Sequence, residues 1–124
     1  MKILIVDDYE GMRKLIRTML RQAGFQDIDQ AEDGETALQL IRTRYYDLVL
    51  SDWNMEPMSG LDLLRAAQSA LPSLPFIMVT GTPDAAEAAQ SHGADACIQK
   101  PLNGTMLKNT IRTVFERRHM RSAC

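Results

Sequence analysis

The sequence predicts an α/β fold, a five-stranded parallel sheet with helices on both faces, and two observations lead to it. Short apolar runs alternate with stretches of helical periodicity in the order βαβαβαβαβα, with short links and no internal repeat or low-complexity segment. Alternation of this kind implies one parallel sheet wrapped by its crossover helices. The second observation is where the runs stop. Leu48-Val49-Leu50 is apolar throughout and too short for a stable helix, so it reads as a strand buried on both faces, and it ends at Asp52.

Each element has its own justification. Residues 2–6 form the first buried run and end in the pair Asp7-Asp8. Over residues 10–23, Met12, Leu15, Ile16, Met19 and Leu20 recur at helical spacing. This predicts an amphipathic helix with Arg13, Lys14, Arg17 and Arg21 on the solvated side and Gly24 as its stop. Residues 25–31 hold the weakest strand pattern, centred on Ile28, which suits a sheet edge. Asp33-Gly34 opens a helix with Ala37, Leu38 and Ile41 inward, ending near Arg44 before the strand that carries Asp52. Ser59-Gly60-Leu61-Asp62 has the form of a capping box and starts a third helix, with Leu61, Leu64 and Ala67 inward and Pro72 and Pro75 at its exit. Residues 76–79 form the fourth strand, which runs into Thr80-Gly81, and Pro83 suits the first turn of an alanine-rich helix reaching Ser91. Residues 96–99 form the fifth strand, ending at Lys100-Pro101. Asn103 then caps a last helix with Leu107, Ile111, Val114 and Phe115 inward.

A length of 124 residues suits one domain over 1–124, with a short basic tail at about 117–124. Apolar content of 45% and charged content of 24% are those of a soluble globule. No apolar stretch approaches the roughly 18 residues of a membrane span, so no membrane insertion is expected. The first six residues run into Asp7-Asp8 and are too short for an export signal, which makes the cytoplasm the expected location. A net charge of −2 gives no general footprint for DNA. Cys97 and Cys124 form neither a disulfide framework nor a metal motif.

Four strands therefore end in residues with chemistry: Asp7-Asp8, Asp52, Thr80 and Lys100. In open α/β sheets the crevice beyond the carboxyl ends of the strands is where ligands bind. Taken singly, Asp52 fits a turn or a helix cap, and Asp7-Asp8 fits a solvated turn. Together, three carboxylates make a hard-oxygen set suited to Mg²⁺. A hydroxyl from Thr80 and an ammonium from Lys100 suit the oxygens of a phosphoryl group. An aspartate beside Mg²⁺ can attack phosphorus to give an acyl phosphate, with catalysis by positioning and charge stabilisation.

On these residues the chain resembles the receiver domain of two-component response regulators, of the single-domain chemotaxis (CheY-like) type. The resemblance rests on the joint spacing of Val6-Asp7-Asp8, Asp52-Trp53-Asn54-Met55 with Met58-Ser59-Gly60, Val79-Thr80-Gly81, Gly93-Ala94-Asp95 and Lys100-Pro101. It implies a flavodoxin-like sheet of order 2-1-3-4-5 and Asp52 as phosphoacceptor. It further implies direct Mg²⁺ ligation by Asp8, Asp52 and the backbone carbonyl of Asn54, with Asp7 acting through water. By the same resemblance Thr80 is the switch hydroxyl, Lys100 contacts the phosphoryl group, and the bond before Pro101 is cis. The implied partners are a sensor histidine kinase or a histidine phosphotransfer protein upstream and a protein target downstream. Activity would be limited to self-phosphorylation and autodephosphorylation, not turnover of a separate substrate.

Departures from the family pattern are also legible. Glu56 intervenes between Met55 and Pro57, where the family places Pro directly, adding a fourth acid that either tunes the metal site or faces water. Thr82 is a further possible modulator. Cys97 stands where the family commonly has an aromatic ring that swings inward on activation, and the segment from Thr80 to Lys100 is about two residues short, which predicts a shortened fourth helix and an altered switch. Arg112, Arg117, Arg118, His119 and Arg121 either complement a helix C-terminus or form an anion contact. Two rival functions follow: a phosphorylation-independent binding module, whose basic tail could take a nucleotide messenger or a protein, and an aspartyl phosphohydrolase. The second normally places an Asp two residues after its nucleophile, where this chain has Asn54.

Overall fold

The computed structural model describes residues 1–123, of which 120–123 are described by backbone alone. Arg121 and Cys124 of the basic stretch thus lie outside the described side chains. The order is β1 (Lys2–Val6), α1 (Glu10–Gln22), β2 (Asp27–Ala31), α2 (Gly34–Thr43), β3 (Leu48–Asp52), α3 (Gly60–Ala70), β4 (Phe76–Thr80), α4 (Pro83–Ser91), β5 (Ala96–Gln99) and α5 (Gly104–Ala123). All neighbouring strands are parallel, and the sheet runs β2-β1-β3-β4-β5. The expected α/β sheet and its 2-1-3-4-5 order are both present.

Side chains alternate across each strand, so every strand feeds two cores. Ile3 and Ile5 of β1, Leu48 and Leu50 of β3, Ile77 and Ile98 pack against Ile16 and Leu20 of α1 and Leu107, Ile111 and Val114 of α5. Leu4, Val6, Val49, Phe76 and Met78 face the other way, against Ala37, Leu38 and Ile41 of α2, Leu63, Leu64 and Ala67 of α3, and Ala89 of α4. The central strands are apolar on both faces because both faces are covered.

Helix starts follow their expected chemistry. Asp33 accepts from Thr36 N at 2.7 Å, Asn103 from Met106 N at 2.7 Å, and Ser59 and Asp62 form a reciprocal capping box. Gly24 adopts φ of 102° after α1, the left-handed conformation a glycine accommodates.

Several expectations require correction. Leu15 is 45% exposed, because the buried stripe of α1 is narrow and centred on Ile16 and Leu20. Arg13 and Arg17 are half-buried instead of fully solvated: long side chains lay their aliphatic stems along the protein and carry the charge elsewhere. Leu63 is the buried partner of Leu64 on α3 and Leu61 is only partly covered, while Phe115 is likewise half-buried. β2 begins at Asp27, since the Phe25 amide is spent on the Leu20 carbonyl that closes α1. Of the basic stretch at about 117–124, residues 117–123 continue α5 and residue 124 lies outside the described residues. Arg118 is committed there, donating to both oxygens of Asp95 at 3.0 and 2.9 Å and to the Ser73 carbonyl at 2.7 Å.

Candidate functional site at the carboxyl ends of the strands

Strand register puts the candidate residues in one row. Val6 pairs with Ser51, so Asp7 and Asp52 leave adjacent strands at the same level; Asp52 pairs with Val79, and Thr80 with Gln99. Lys100 follows, its amide donating to the Thr80 carbonyl at 2.7 Å. The sheet continues one bond beyond β3 through Trp53 N to the Val79 carbonyl at 2.9 Å, fixing the loop that follows Asp52.

Asp7, Asp8 and Asp52 each place a carboxylate oxygen within 4.8 Å of the others. Asp7 and Asp52 are buried while Asp8 is exposed at the rim. The Lys100 ammonium donates to Asp52 Oδ1 at 3.0 Å, partly offsetting the gathered negative charge. Asp7 is buried beside the Asp52 carboxylate. Burial pushes its carboxyl above the usual carboxylate range, the hydrogen bond from Tyr9 N (2.9 Å to Oδ1) opposes this, and the Asp52 carboxylate adds to the rise. Its Oδ2 is buried with no hydrogen-bond partner among the described residues. Buried polar atoms are normally satisfied, so an unpartnered carboxylate oxygen facing two further carboxylates fits a hard divalent cation.

Thr80 is buried on the same edge, and its Oγ1 accepts from Thr82 N at 3.2 Å. Thr82 is the N-cap of α4, its own hydroxyl accepting from Ala85 N at 3.4 Å. The residue flagged as a possible modulator is thus the link between the Thr80 hydroxyl and the first turn of a nine-residue helix. Asn54 is exposed immediately beyond the strand end. Glu56 is also exposed, and the group of carboxylates within 4.8 Å among the described residues consists of Asp7, Asp8 and Asp52. The peptide bonds before Pro101 and before Pro57 are both cis, the first expected and the second not. Cys97 is half-buried against the α2–α4 core, and burial pushes its thiol above the ordinary range.

Two residues already named from their sequence patterns make contacts at the site that those patterns did not foretell. Arg13 Nη1 donates to the Asp7 carbonyl at 2.6 Å, and Gly60 packs its backbone against the Asp52-Trp53 segment, donating to the Trp53 carbonyl at 2.9 Å.

The response regulator receiver domain family matches residues 3–112. The chain belongs to this family. As a receiver it is 43% identical over 122 residues to the chemotaxis protein CheY of Pseudomonas aeruginosa, a match spanning 94% of this chain and 98% of that one. It is 41% identical to CheY-3 of Vibrio cholerae, over 94% of this chain and 93% of the relative. Among solved structures, a receiver domain protein from Clostridium thermocellum superposes with a TM-score of 0.87 at 27% identity, covering 96% of this receiver and 97% of that chain. Vibrio cholerae CheY4 gives 0.82 at 30% identity, covering 91% and 97%. No helix among the described residues is long and apolar enough to cross a membrane.

Proposed function

We propose that this receiver is a cytoplasmic response regulator that accepts a phosphoryl group on Asp52 and signals to a protein target. One observation carries the reading. A buried aspartate at the tip of the central strand has an ammonium on one side and two further carboxylates on the other.

The upstream donor is a phosphohistidine of a sensor kinase or phosphotransfer protein. An Asp52 carboxylate oxygen attacks phosphorus, the P–N bond breaks with the electron pair leaving on imidazole, and an acyl phosphate remains. Asp7, Asp8, Asp52 and the Asn54 carbonyl would hold Mg²⁺. That ion supplies charge neutralisation and orientation for the phosphoryl oxygens. Lys100, already hydrogen-bonded to Asp52, transfers its contact to a phosphoryl oxygen, and Thr80 turns its hydroxyl toward another. When it does, the Thr82 amide loses its acceptor at the start of α4. With Cys97 in place of an aromatic ring, α4 and its cap are the element through which the Thr80 hydroxyl reaches the surface. Slow hydrolysis of the acyl phosphate resets the protein. Asn54, two residues after Asp52, offers no general acid, so turnover as a phosphohydrolase is poor.

The direct test is intact mass after incubation with acetyl phosphate and Mg²⁺. Wild type gains one phosphoryl group; Asp52→Asn gains none, and chelating the metal suppresses the gain in wild type. A wild type that stays unmodified while a known receiver in the same buffer is phosphorylated would favour the phosphorylation-independent binding module instead.

A further inference from the structure

We infer that Arg13 is a positioning residue for the carboxylate cluster, clamping the Asp7-Asp8 turn so that the three carboxylates stay converged. The inference rests on the reading above that the cluster holds Mg²⁺. Asp8 lies in a turn that has to be rigid, yet Tyr9 at the N-cap of α1 supplies no side-chain cap. The turn is held otherwise. Arg13 N donates to the Tyr9 carbonyl at 3.2 Å, and Arg13 Nη1 reaches back to the Asp7 carbonyl at 2.6 Å. The Arg13 side chain alone thus ties the first turn of α1 back to the residue before Asp8, its Arg13 N–Tyr9 carbonyl bond being an ordinary helical one, while Tyr9 N fixes Asp7 Oδ1 at 2.9 Å.

The chemistry suits arginine. A guanidinium donating to a carbonyl makes a short charge-assisted bond, and its planar fork loses less side-chain freedom per bond than a lysine chain does. Arg13 is half-buried and the bond it makes is partly buried with it. The side chain is aimed at the Asp7 carbonyl and not at a carboxylate, which makes the contact a restraint on backbone geometry.

That distinction fixes the sign of the test. If Arg13 acted only as a nearby charge, removing it would tighten the binding of a divalent cation, because a competing positive charge would be gone. If it holds the ligands in place, removing it weakens binding. Mg²⁺ affinity is measured through Trp53, the one tryptophan of the chain and the residue next to Asp52, with calorimetry as a check. Arg13→Gln is expected to weaken Mg²⁺ binding by about ten-fold, the scale typical of groups that orient metal ligands. Arg13→Lys recovers part of the loss. Lys14→Gln, which removes the same charge from an exposed neighbour paired with Glu10, leaves affinity within about two-fold of wild type by the weakness of exposed charges. Metal-free unfolding midpoints of folded variants stay close to wild type, which a generally destabilising change would not allow. Arg13→Gln binding Mg²⁺ as tightly as wild type or tighter overturns the inference. So does an unweakened Arg13→Lys, should the Gln variant not fold. A wild type with no Mg²⁺ binding at all overturns the metal reading itself, and is recognised by the failure of every variant and wild type alike.

Discussion

Asp7→Asn is expected to make the metal-free protein more stable at neutral pH and, in the same variant, to weaken Mg²⁺ binding by about ten-fold or more. Asp7 is 2% exposed, one of its oxygens is unpartnered, and Asp52 stands beside it. Its folded pKa lies above the ordinary 3.8. A carboxyl shifted upward binds its proton more tightly when folded, so it contributes stability below pH 3.8 that is lost as pH rises through the folded pKa. Above its folded pKa the ionised group opposes folding, and an isosteric amide removes that opposition. The gain should be about 0.5–2 kcal/mol, the usual size for relieving a strained functional group. Urea midpoints in chelator at pH 7 and near pH 3 measure it. The advantage of the variant should be present at pH 7 and shrink at acid pH, where Asp7 is itself neutral. Asp29 and Asp33 have depressed values, Asp29 chiefly through the Tyr46 hydroxyl and Asp33 through the Thr36 amide. They act oppositely, losing their contribution as pH falls, but they are common to both proteins and cancel in the difference. A variant less stable than wild type at both pH values would contradict this account.

Gly60→Ala should be among the most damaging single-methyl changes in the molecule. A Cβ at this position collides with the Asp52 backbone carbonyl and comes within 2.9 Å of both Trp53 Cα and Met78 Sδ. The sulfur can move; the backbone of β3 cannot move without taking Asp52 with it. Core strain of this kind destabilises by about 3 kcal/mol. Whatever fraction folds should also bind Mg²⁺ poorly, because relief of the clash displaces the strand end. Alanine at the exposed Gly81, where an added Cβ meets nothing within 4 Å, is the matched control for a glycine replaced beside the site. Equal denaturant midpoints for the two variants would show that close approach at Gly60 is not what the fold requires.

The sheet and the acidic edge were legible because both follow from one-dimensional patterns. Buried parallel strands are short apolar runs, and each run that ends in a polar residue delivers that residue to the same edge once the strands are parallel. Thus Asp7, Asp8, Asp52, Thr80 and Lys100 could be grouped without knowing a distance. What escaped depends on side-chain reach and backbone proximity. Arg13 sits at a position that helical periodicity assigns to solvent, and periodicity says nothing of a long side chain that turns back along its own helix N-terminus. Gly60 reads as the second residue of a capping box, and nothing local reveals that Asp52 presses on it from eight residues earlier. Leu15 and Leu61 fall on apolar spacings yet lie at the margins of their stripes, where one position decides between core and rim. Arg118 looked like one charge among several, whereas its partner Asp95 is brought to it by β5.

The most direct test of the whole account locates the modified atom. After phosphorylation with acetyl phosphate and Mg²⁺, borohydride reduces an aspartyl phosphate to homoserine, and tandem mass spectrometry of the digested protein reads its position. Homoserine at residue 52 alone is the predicted result; homoserine at Asp7 or Asp8, with residue 52 unaltered, would contradict the assignment of Asp52 as the phosphoacceptor.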